Sequence, residues 1–344
     1  MTERLLGLLV VVWFFTPVWV SAGDGVAEPS RLDQSQYFNI QFENDLFGSG
    51  EDSHYTHGSR LSYLTSEQPT HFEEKIKSTV LAPIPKFFIP KTRRISFILG
   101  QNIFTPDDIA RSDLIENDRP YAGWLYLGAG FVTEGGENVK FMENLEINLG
   151  VVGPAALGEE IQTEWHRLID VKRPKGWDNQ LKNEPGLILF YERKLPLRPR
   201  SKNWNKLIDF TPSAGFALGN VATYFAAGLT LRIGYNIPND YGPPRIRPGL
   251  SGSGFFTPKS RFTWYVFAGV EGRAVGRNIF LDGNSYQDSH SVDKKTLVGD
   301  LQVGFVVTLF HNFRAGFTNV FRTKEFDGQP EEDEFGSINV SYRW

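Results

Sequence analysis

Residues 335–344, FGSINVSYRW, decide the fold of this chain. Apolar side chains recur at every second position of this stretch, and polar side chains occupy the positions between them. The apolar set is Ile338, Val340, Tyr342 and Trp344, and the polar set is Asn339, Ser341 and Arg343. Because successive side chains of a strand point to opposite faces, the alternation predicts a β-strand with one apolar face. An aromatic residue closes the stretch, which is typical of the last strand of a bacterial outer-membrane barrel.

The same period of two recurs along the chain. It is clear in residues 38–43, 262–271 and 297–308, and Phe, Tyr and Trp together make up 14% of the sequence. Aromatic-rich strands of about ten residues with one apolar face are the sequence pattern of a transmembrane β-barrel. A soluble sandwich or a lipocalin-like barrel is the alternative, since its strands also have one apolar face.

The pattern predicts an all-β fold, a transmembrane antiparallel β-barrel of about 12 strands, with a short helix in an outer loop. The predicted strands are 35–45, 57–66, 94–103, 121–132, 139–152, 184–194, 206–218, 221–236, 261–275, 295–308, 311–322 and 335–344. The helix is predicted over 157–171, where Ile161, Trp165, Leu168 and Ile169 form an apolar stripe. It is the only long helix that the sequence predicts.

Composition excludes several classes of function. The chain contains no cysteine, which excludes disulfide scaffolds, thiolate metal sites and a cysteine nucleophile. Its formal net charge is −4, and no basic tail or stripe is present, so a nucleic-acid partner is not expected.

Residues 1–22 have the features of a secretory signal peptide: a basic residue, an apolar core over 5–15, and small residues at 20–22. We therefore expect residues 23–344 to form a single barrel domain in the outer membrane. Its partners would be outer-membrane lipids and, during insertion, the barrel-assembly machinery.

Unusual polar residues collect at the outer ends of the first strands and in the first three outer loops. Asn44 and Asp45 offer oxygen ligands for a hard cation such as Ca²⁺, or alternatively begin a turn. Asn44 shares its parity with the lipid-facing Phe42, so it must leave the strand or lie on the outer wall. His166, at the edge of the helical stripe, would point toward these rim residues.

Two arginines near the same rim can bind phosphate through paired hydrogen bonds: Arg111 and Arg119. Two alternatives are open for them. Basic residues at an outer rim can contact lipopolysaccharide without any chemistry, and Asp118 and Arg119 can form a structural ion pair.

Taken together, these segments resemble the outer-membrane lipid A 3'-O-deacylases of the LpxR type. The residues that carry the resemblance are Asn44-Asp45, Tyr55-Thr56-x-Gly58, Gly100-Gln101, Asp118-Arg119, Tyr121-Ala122, Gly153-Pro154, His166-Arg167, Trp177 and Asn179-Gln180. The likeness covers residues 36–184 with specific motifs and continues to 344 as a barrel pattern.

The resemblance implies a 12-stranded barrel whose site lies between its outer wall and a loop helix, facing the outer leaflet. It implies that His166 is the general base that deprotonates a water and that Asn44 and Asp45 help to hold Ca²⁺. It also implies that Thr56 is a residue of the catalytic site. Arg111 and Arg119 would bind the substrate, with Arg111 in the place of a basic residue that positions the lipid A phosphate.

The chain also departs from the family pattern. Lys172 lies six residues after the histidine, where the family can supply an acidic ligand for the cation. Asp170 and the more distant Glu184 are candidates to replace that ligand.

The leading hypothesis is a Ca²⁺-dependent esterase that removes an ester-linked acyloxyacyl chain from lipid A or lipopolysaccharide. Two alternatives stay open. One is an outer-membrane phospholipase with Ser59 or Ser53 as its nucleophile, and the other is a non-catalytic porin or structural barrel.

Overall fold

The computed structural model describes residues 33–47, 54–84, 94–135, 140–199, 207–242, 246 and 254–344. The predicted signal peptide, residues 1–22, lies outside the described residues. No helix within the described ranges is both long enough and apolar enough to cross a membrane.

Twelve strands form a closed barrel in which each strand pairs antiparallel with its neighbours in sequence and β1 pairs with β12. The strands are β1 (Tyr37–Asn44), β2 (His54–Leu64), β3 (Arg94–Thr105), β4 (Ala122–Gly135), β5 (Phe141–Val152), β6 (Glu184–Lys194), β7 (Ile208–Gly219), β8 (Ala222–Tyr235), β9 (Phe262–Asn278), β10 (Leu297–Leu309), β11 (Phe313–Arg322) and β12 (Asp333–Arg343). The predicted all-β class and strand number are confirmed.

Two ends of the barrel can be distinguished. The terminal end is where β1 begins and β12 ends, and the loop end carries the connections after β1, β3, β5, β7, β9 and β11. Helix α2 (Gly158–Ile169) follows β5 at the loop end, where the sequence predicts a helix over 157–171. A single turn, α3 (Ile279–Asp282), follows β9 at the same end.

One helix was not predicted. Helix α1 (His71–Leu81) lies between β2 and β3 at the terminal end, so the prediction of a single long helix is wrong. A capping box starts α1: the Thr70 side chain accepts from the Glu73 amide, and the Glu73 carboxylate accepts from the Thr70 amide. This Thr-x-x-Glu pattern is readable in the sequence. Leu81 packs against Ile95 and Phe131 of the barrel wall.

The alternation of apolar and polar residues in the sequence correctly predicts which side chains face outward and which face the interior. In β12, the side chains of Ser337, Asn339 and Ser341 are fully buried in the interior, whereas Ile338 and Tyr342 are exposed on the outer wall. The outer wall therefore presents a largely apolar surface, and the strand pairing leaves no unpaired edge on which another chain could add.

The interior is filled by charged side chains that neutralise one another. Buried ion pairs in the described part of the chain include Arg60–Glu146 (2.9 Å), Arg232–Asp209 (2.6 Å), Arg322–Asp300 (2.9 Å), Arg273–Asp300 (3.0 Å) and Lys194–Glu192 (3.0 Å). Pairing of this kind is what allows charges to be buried at all.

The described residues of the connection between β8 and β9 (236–242, 246 and 254–261) reach into the interior from the terminal end. The hydroxyl of Tyr37 donates to the carbonyl of Phe256 (3.1 Å), and the amide of Ile246 donates to Glu43 Oε1 (2.9 Å). Asp240 of the same connection pairs with the buried Arg232. The described residues of this connection thus occupy part of the barrel interior.

Candidate active site

A patch of polar side chains interrupts the apolar outer wall at the loop end, beneath helix α2. Asn44 has the outward parity of Phe38 and Ile40, yet it is only 3% exposed because α2 covers it. The parity predicts that Asn44 either leaves the strand or lies on the outer wall, and the structure places it on the wall at the end of β1.

A β-bulge in β2 adds Thr56 to this patch. The pairing of β2 with β3 shifts register between His54 and His57, so one extra residue is accommodated there. Tyr55 points into the interior core, whereas both Thr56 and His57 line the outer cavity. Bulges redirect side chains in this way next to functional sites. The Thr56 hydroxyl lies 2.7 Å from the Thr105 hydroxyl.

Asn44 and Thr56 are tied together across the strand pair. The side-chain amide of Asn44 donates to the carbonyl oxygen of Thr56 over 2.7 Å. Because both residues are almost fully buried, this hydrogen bond fixes the rotamer of Asn44 and the backbone of the bulge relative to each other.

Helix α2 approaches the wall closely because glycines meet at the contact. A Cβ atom on Gly123 would lie 3.0 Å from the Ala156 Cβ, and one on Gly158 would lie 2.6 Å from the Trp177 ring. Two side chains reinforce the contact: Gln101 donates to the carbonyl of Ala156 (2.6 Å), and the Trp177 indole donates to Gln162 (2.9 Å). The start of α2 is therefore rigidly docked.

The helix turns its polar side to the wall. Gly158, Gln162 and His166 are its buried residues, whereas the apolar stripe is exposed, with Leu168 at 74%. A helix that covers a barrel in water would bury the stripe instead. The inverted arrangement matches a wall that faces lipid, with the polar site enclosed between helix and barrel.

His166 is 2% exposed, and its orientation is set by a backbone contact. Its Nδ1 atom lies 2.5 Å from the carbonyl oxygen of Lys172, which can only accept a hydrogen bond. Nδ1 therefore carries the proton, and in the neutral ring Nε2 is the basic nitrogen.

His166 lies on a cavity between α2 and the wall, which we call the site cavity, with a volume of about 460 Å³. Its polar lining comes from the wall and from the helix: Asn44, Thr56, His57 and Ser59 on the wall, and Gln162, Glu164, His166 and Arg167 on the helix. Its apolar lining includes Phe42, Ile103, Ile161, Trp165 and Leu168. The cavity thus combines a basic nitrogen with an apolar surface that can receive a hydrocarbon chain.

Asp45 follows Asn44 at the start of a short 3-10 helix, Asp45–Phe47, and is 2% exposed. Ca²⁺ prefers amide and carboxylate oxygens as ligands. Asn44 and Asp45 offer one of each, so the chemistry of this adjacent pair suits a hard cation. No group of three or more His, Asp or Glu side chains able to hold a metal occurs within the described ranges.

Arg111 and Arg119 lie in the connection after β3, apart from the site cavity. Arg111 is an exposed residue that pairs with Asp113. Its loop packs against the segment that follows α2, since the Asn179 side chain donates to the carbonyl of Ser112 (2.9 Å). The Arg111 side chain is therefore open to solvent, outside the site cavity.

Arg119 has a different environment. Its guanidinium is buried, pairs with Glu325 (2.9 Å) and lies over the rings of Phe104 and Phe326. Burial of Glu325 would raise the pKa of its carboxyl, but Arg322 and Arg119 hold that pKa below its ordinary value. The Asp118 carboxylate accepts a hydrogen bond from the backbone amide of Arg119 (2.7 Å).

Lys172 and the two candidates for the acidic cation ligand, Asp170 and Glu184, do not line the site cavity. The ammonium of Lys172 is 3.8 Å from Asp108, and Asp170 is the left-handed C-cap of α2. Glu184 accepts hydrogen bonds from the Asn220 side chain (3.0 Å) and the Ser285 amide (2.7 Å).

Two residues of the site, Thr105 and His57, have no role predicted from the sequence. Thr105, the hydroxyl partner of Thr56, follows the predicted end of its strand at 103. His57 has the outward parity of Ser59 and Leu61, and it lines the cavity because helix α2 covers this part of the wall.

The closed barrel, its apolar outer wall and the helix-covered polar site on that wall define the class: an outer-membrane β-barrel protein with a candidate active site on its membrane-facing surface. A family model described as "Outer membrane protein LpxR" matches residues 8–344. The chain therefore belongs to the LpxR family, and its compartment is the bacterial outer membrane.

Among solved structures, the chain is similar to LpxR from Salmonella typhimurium, with 21% identity and a TM-score of 0.71 over 89% of this chain and 99% of that one. At this identity the likeness shows a shared fold. The β domain of the Bordetella autotransporter BrkA has 10% identity and a TM-score of 0.43 over 91% of this chain and 99% of that one. A KdgM porin has 8% identity and a TM-score of 0.35 over 89% and 98%. No curated protein matches the sequence.

Proposed function

We propose that this protein is a lipid A 3'-O-deacylase, which hydrolyses an ester-linked acyloxyacyl chain of lipid A in the outer leaflet. The observation that carries the proposal is the setting of His166. Its Nδ1 is held by the Lys172 carbonyl, and its ring lines a cavity that opens on the membrane-facing wall of an LpxR-family barrel.

The histidine acts as a general base. Nε2 takes a proton from a water in the site cavity, and the resulting hydroxide attacks the ester carbonyl carbon. The imidazolium, still hydrogen-bonded to the Lys172 carbonyl, then returns the proton to the departing alkoxide. Removal of one positioned base of this kind costs about 10²- to 10⁴-fold in rate.

Asn44 and Asp45 would hold Ca²⁺ through their side-chain oxygens, with water and substrate oxygens completing its shell. A Ca²⁺ ion held by these two side chains would supply positive charge for the oxyanion that forms when the ester carbonyl is attacked. The hydrogen bond from Asn44 to the Thr56 carbonyl keeps the amide in position, and Thr56 orders the wall beside it.

The acyl chain lies on the apolar lining of the site cavity. Phe42 and Trp165 face each other there, with ring centroids 5.9 Å apart, one from the wall and one from α2. Because both residues border the membrane-facing surface, the chain can enter from the leaflet without crossing water. Lipid A and lipopolysaccharide are thus the proposed partners.

Arg111 would bind a lipid A phosphate at the edge of the site. Its ion pair with Asp113 is solvent-exposed, and exposed pairs are weak enough to exchange for a phosphate. Arg119 is occupied by Glu325 in the interior, so we assign it to support of the loops and leave the phosphate to Arg111.

A porin is less well supported. Buried ion pairs and the described residues of the β8–β9 connection occupy the barrel interior, and an apolar void beside Phe104 and Tyr224 has a volume of about 40 Å³. That volume suits a water molecule or two rather than a continuous channel.

The test is mass spectrometry of lipid A from cells that express the chain or its His166→Asn variant at equal barrel yield. Asn can still donate to the Lys172 carbonyl but cannot take a proton. The matched control is His311→Asn, in the turn between β10 and β11 at the terminal end. Loss of the acyloxyacyl chain in the wild type and the control, but not in His166→Asn, supports the proposal. Unchanged lipid A with detergent-solubilised wild type and excess Ca²⁺ overturns it.

A further inference from the structure

A second polar pair lies on the outer wall within the site cavity. The Nε2 atom of His57 is 2.7 Å from the Oγ atom of Ser59. The two residues are two positions apart in β2, so their side chains leave the same face of the strand. Both are half-buried and line the site cavity.

The location of this pair is unusual for its chemistry. The next outward residue of β2, Leu61, is 40% exposed on the apolar wall. Polar groups on a membrane-facing wall are costly unless they are hydrogen-bonded, and here the serine and histidine bond to each other. A serine hydroxyl held against an imidazole nitrogen is also the arrangement that activates a serine nucleophile.

The ring of His57 is held by an aromatic neighbour. Phe42 packs edge-on against it, with centroids 4.6 Å apart and planes at 74°. Phe42 is also the residue of β1 directly opposite Ser59. The hydroxyl therefore lies beside the apolar surface on which a hydrocarbon chain would rest, and the imidazole has little freedom to rotate away.

We infer that Ser59 and His57 form a second acyl-transfer centre, distinct from the water-activating His166. Its substrate class is the long-chain carboxylic ester of a membrane lipid. The inference does not rest on the proposed deacylation, because the nucleophile and the base differ and only this route passes through a covalent acyl-serine.

The step conserves atoms and charge. Ser59 Oγ bonds to the ester carbonyl carbon while its proton passes to His57 Nε2. The ester C–O bond then breaks, and the proton goes from His57 to the departing alcohol. Water, deprotonated by His57, next attacks the acyl-serine, which releases the fatty acid and regenerates the hydroxyl.

The first experiment is covalent labelling of the full-length barrel in detergent micelles with a long-chain alkyl fluorophosphonate. Serine attack at phosphorus expels fluoride, and peptide mass spectrometry locates the label. We expect one label on the peptide that carries Ser59, none in Ser59→Ala, and about 100-fold slower labelling in His57→Gln. The control is Ser62→Ala, because Ser62 lies on the same strand but faces the interior, where it accepts from Asn39.

The result that overturns the inference is a wild type without label at Ser59, or a labelling rate that His57→Gln leaves unchanged. Labelling that persists in His166→Asn supports it. That outcome also separates it from the proposed deacylation, since each centre then succeeds or fails by itself.

A second experiment distinguishes the two sources of the ester. His166→Asn is incubated in micelles that contain either a glycerophospholipid or lipid A, and the reaction is quenched in acid. An acyl group on the Ser59 peptide, lost in the Ser59→Ala double variant, identifies the source that supplied it. Absence of acyl transfer from both lipids overturns the inference even where the fluorophosphonate reacts.

Discussion

The carbonyl oxygen of Lys172 accepts a 2.5 Å hydrogen bond from Nδ1 of His166, six residues earlier in the chain. The contact spans the end of α2, where Asp170 adopts a left-handed conformation and turns the chain back toward the helix. A backbone atom thus sets the tautomer of the proposed base, whereas the lysine side chain extends away toward Asp108.

The first prediction separates these two parts of Lys172. Lys172→Ala retains the carbonyl, so we expect deacylation within about twofold of wild type, whereas His166→Asn loses about 10²- to 10⁴-fold. Initial rates on micellar lipid A provide the measurement. A large loss in Lys172→Ala would show that the side chain, not the backbone, supports the reaction.

The second prediction concerns the docking of α2. In Gly158→Ala the new methyl group meets the ring of the buried Trp177 at 2.6 Å, so either α2 or the segment that carries Trp177 must shift. Alanine favours a helix over glycine by about 1 kcal/mol, so reduced activity would not reflect a weaker helix. We expect at least a tenfold lower rate with an unchanged heat-induced gel shift of the barrel. Full activity would contradict the tight contact.

The third prediction concerns the apolar lining. Trp165→Ala removes the helix side of the aromatic contact with Phe42. We expect KM for lipid A to rise about tenfold with little change in kcat. The reason is that the lost contact holds the acyl chain equally well in the ground state and in the transition state. Tyr286→Ala removes an exposed aromatic side chain that does not line the cavity and is the control. A fall in kcat alone would place Trp165 in the chemistry instead.

The fourth prediction concerns removal of the cation. Chelation of Ca²⁺ should abolish deacylation, and added Ca²⁺ should restore it, because Asn44 and Asp45 offer hard oxygen donors. Asp45→Asn should raise the Ca²⁺ concentration needed for half-maximal activity. Activity that persists in excess chelator would remove the cation from the mechanism, while labelling of Ser59 is expected to be unaffected.

The fifth prediction is an acid-sensitive contribution to stability from Glu325. Although burial raises its pKa, Arg322 and Arg119 lower it further, so the folded value lies below the ordinary 4.5. Its contribution is therefore complete above about pH 4.5 and is lost as the pH falls through the lower folded pKa. Glu325→Gln should reduce the free energy of unfolding on the order of 3 kcal/mol at neutral pH. Urea unfolding at several pH values measures the difference, which should shrink in acid; a constant difference would refute the linkage.

Local patterns in the sequence were sufficient to predict much of the fold of this protein. Side chains that alternate between lipid and interior must repeat every second residue, so strand number, antiparallel class and the outward parity of Asn44 could all be read directly. The motifs around Asn44, Thr56 and His166 likewise pointed to one region, since strands that follow one another in sequence are neighbours in the wall.

Only the tertiary structure decided how the site is assembled. The bulge that directs Thr56 outward depends on register with β3, and the exposed stripe of α2 depends on which solvent surrounds the wall. The pairing of Arg119 with Glu325 joins residues 206 positions apart. Such contacts follow from packing between distant segments, and a local pattern of residues carries no information about them.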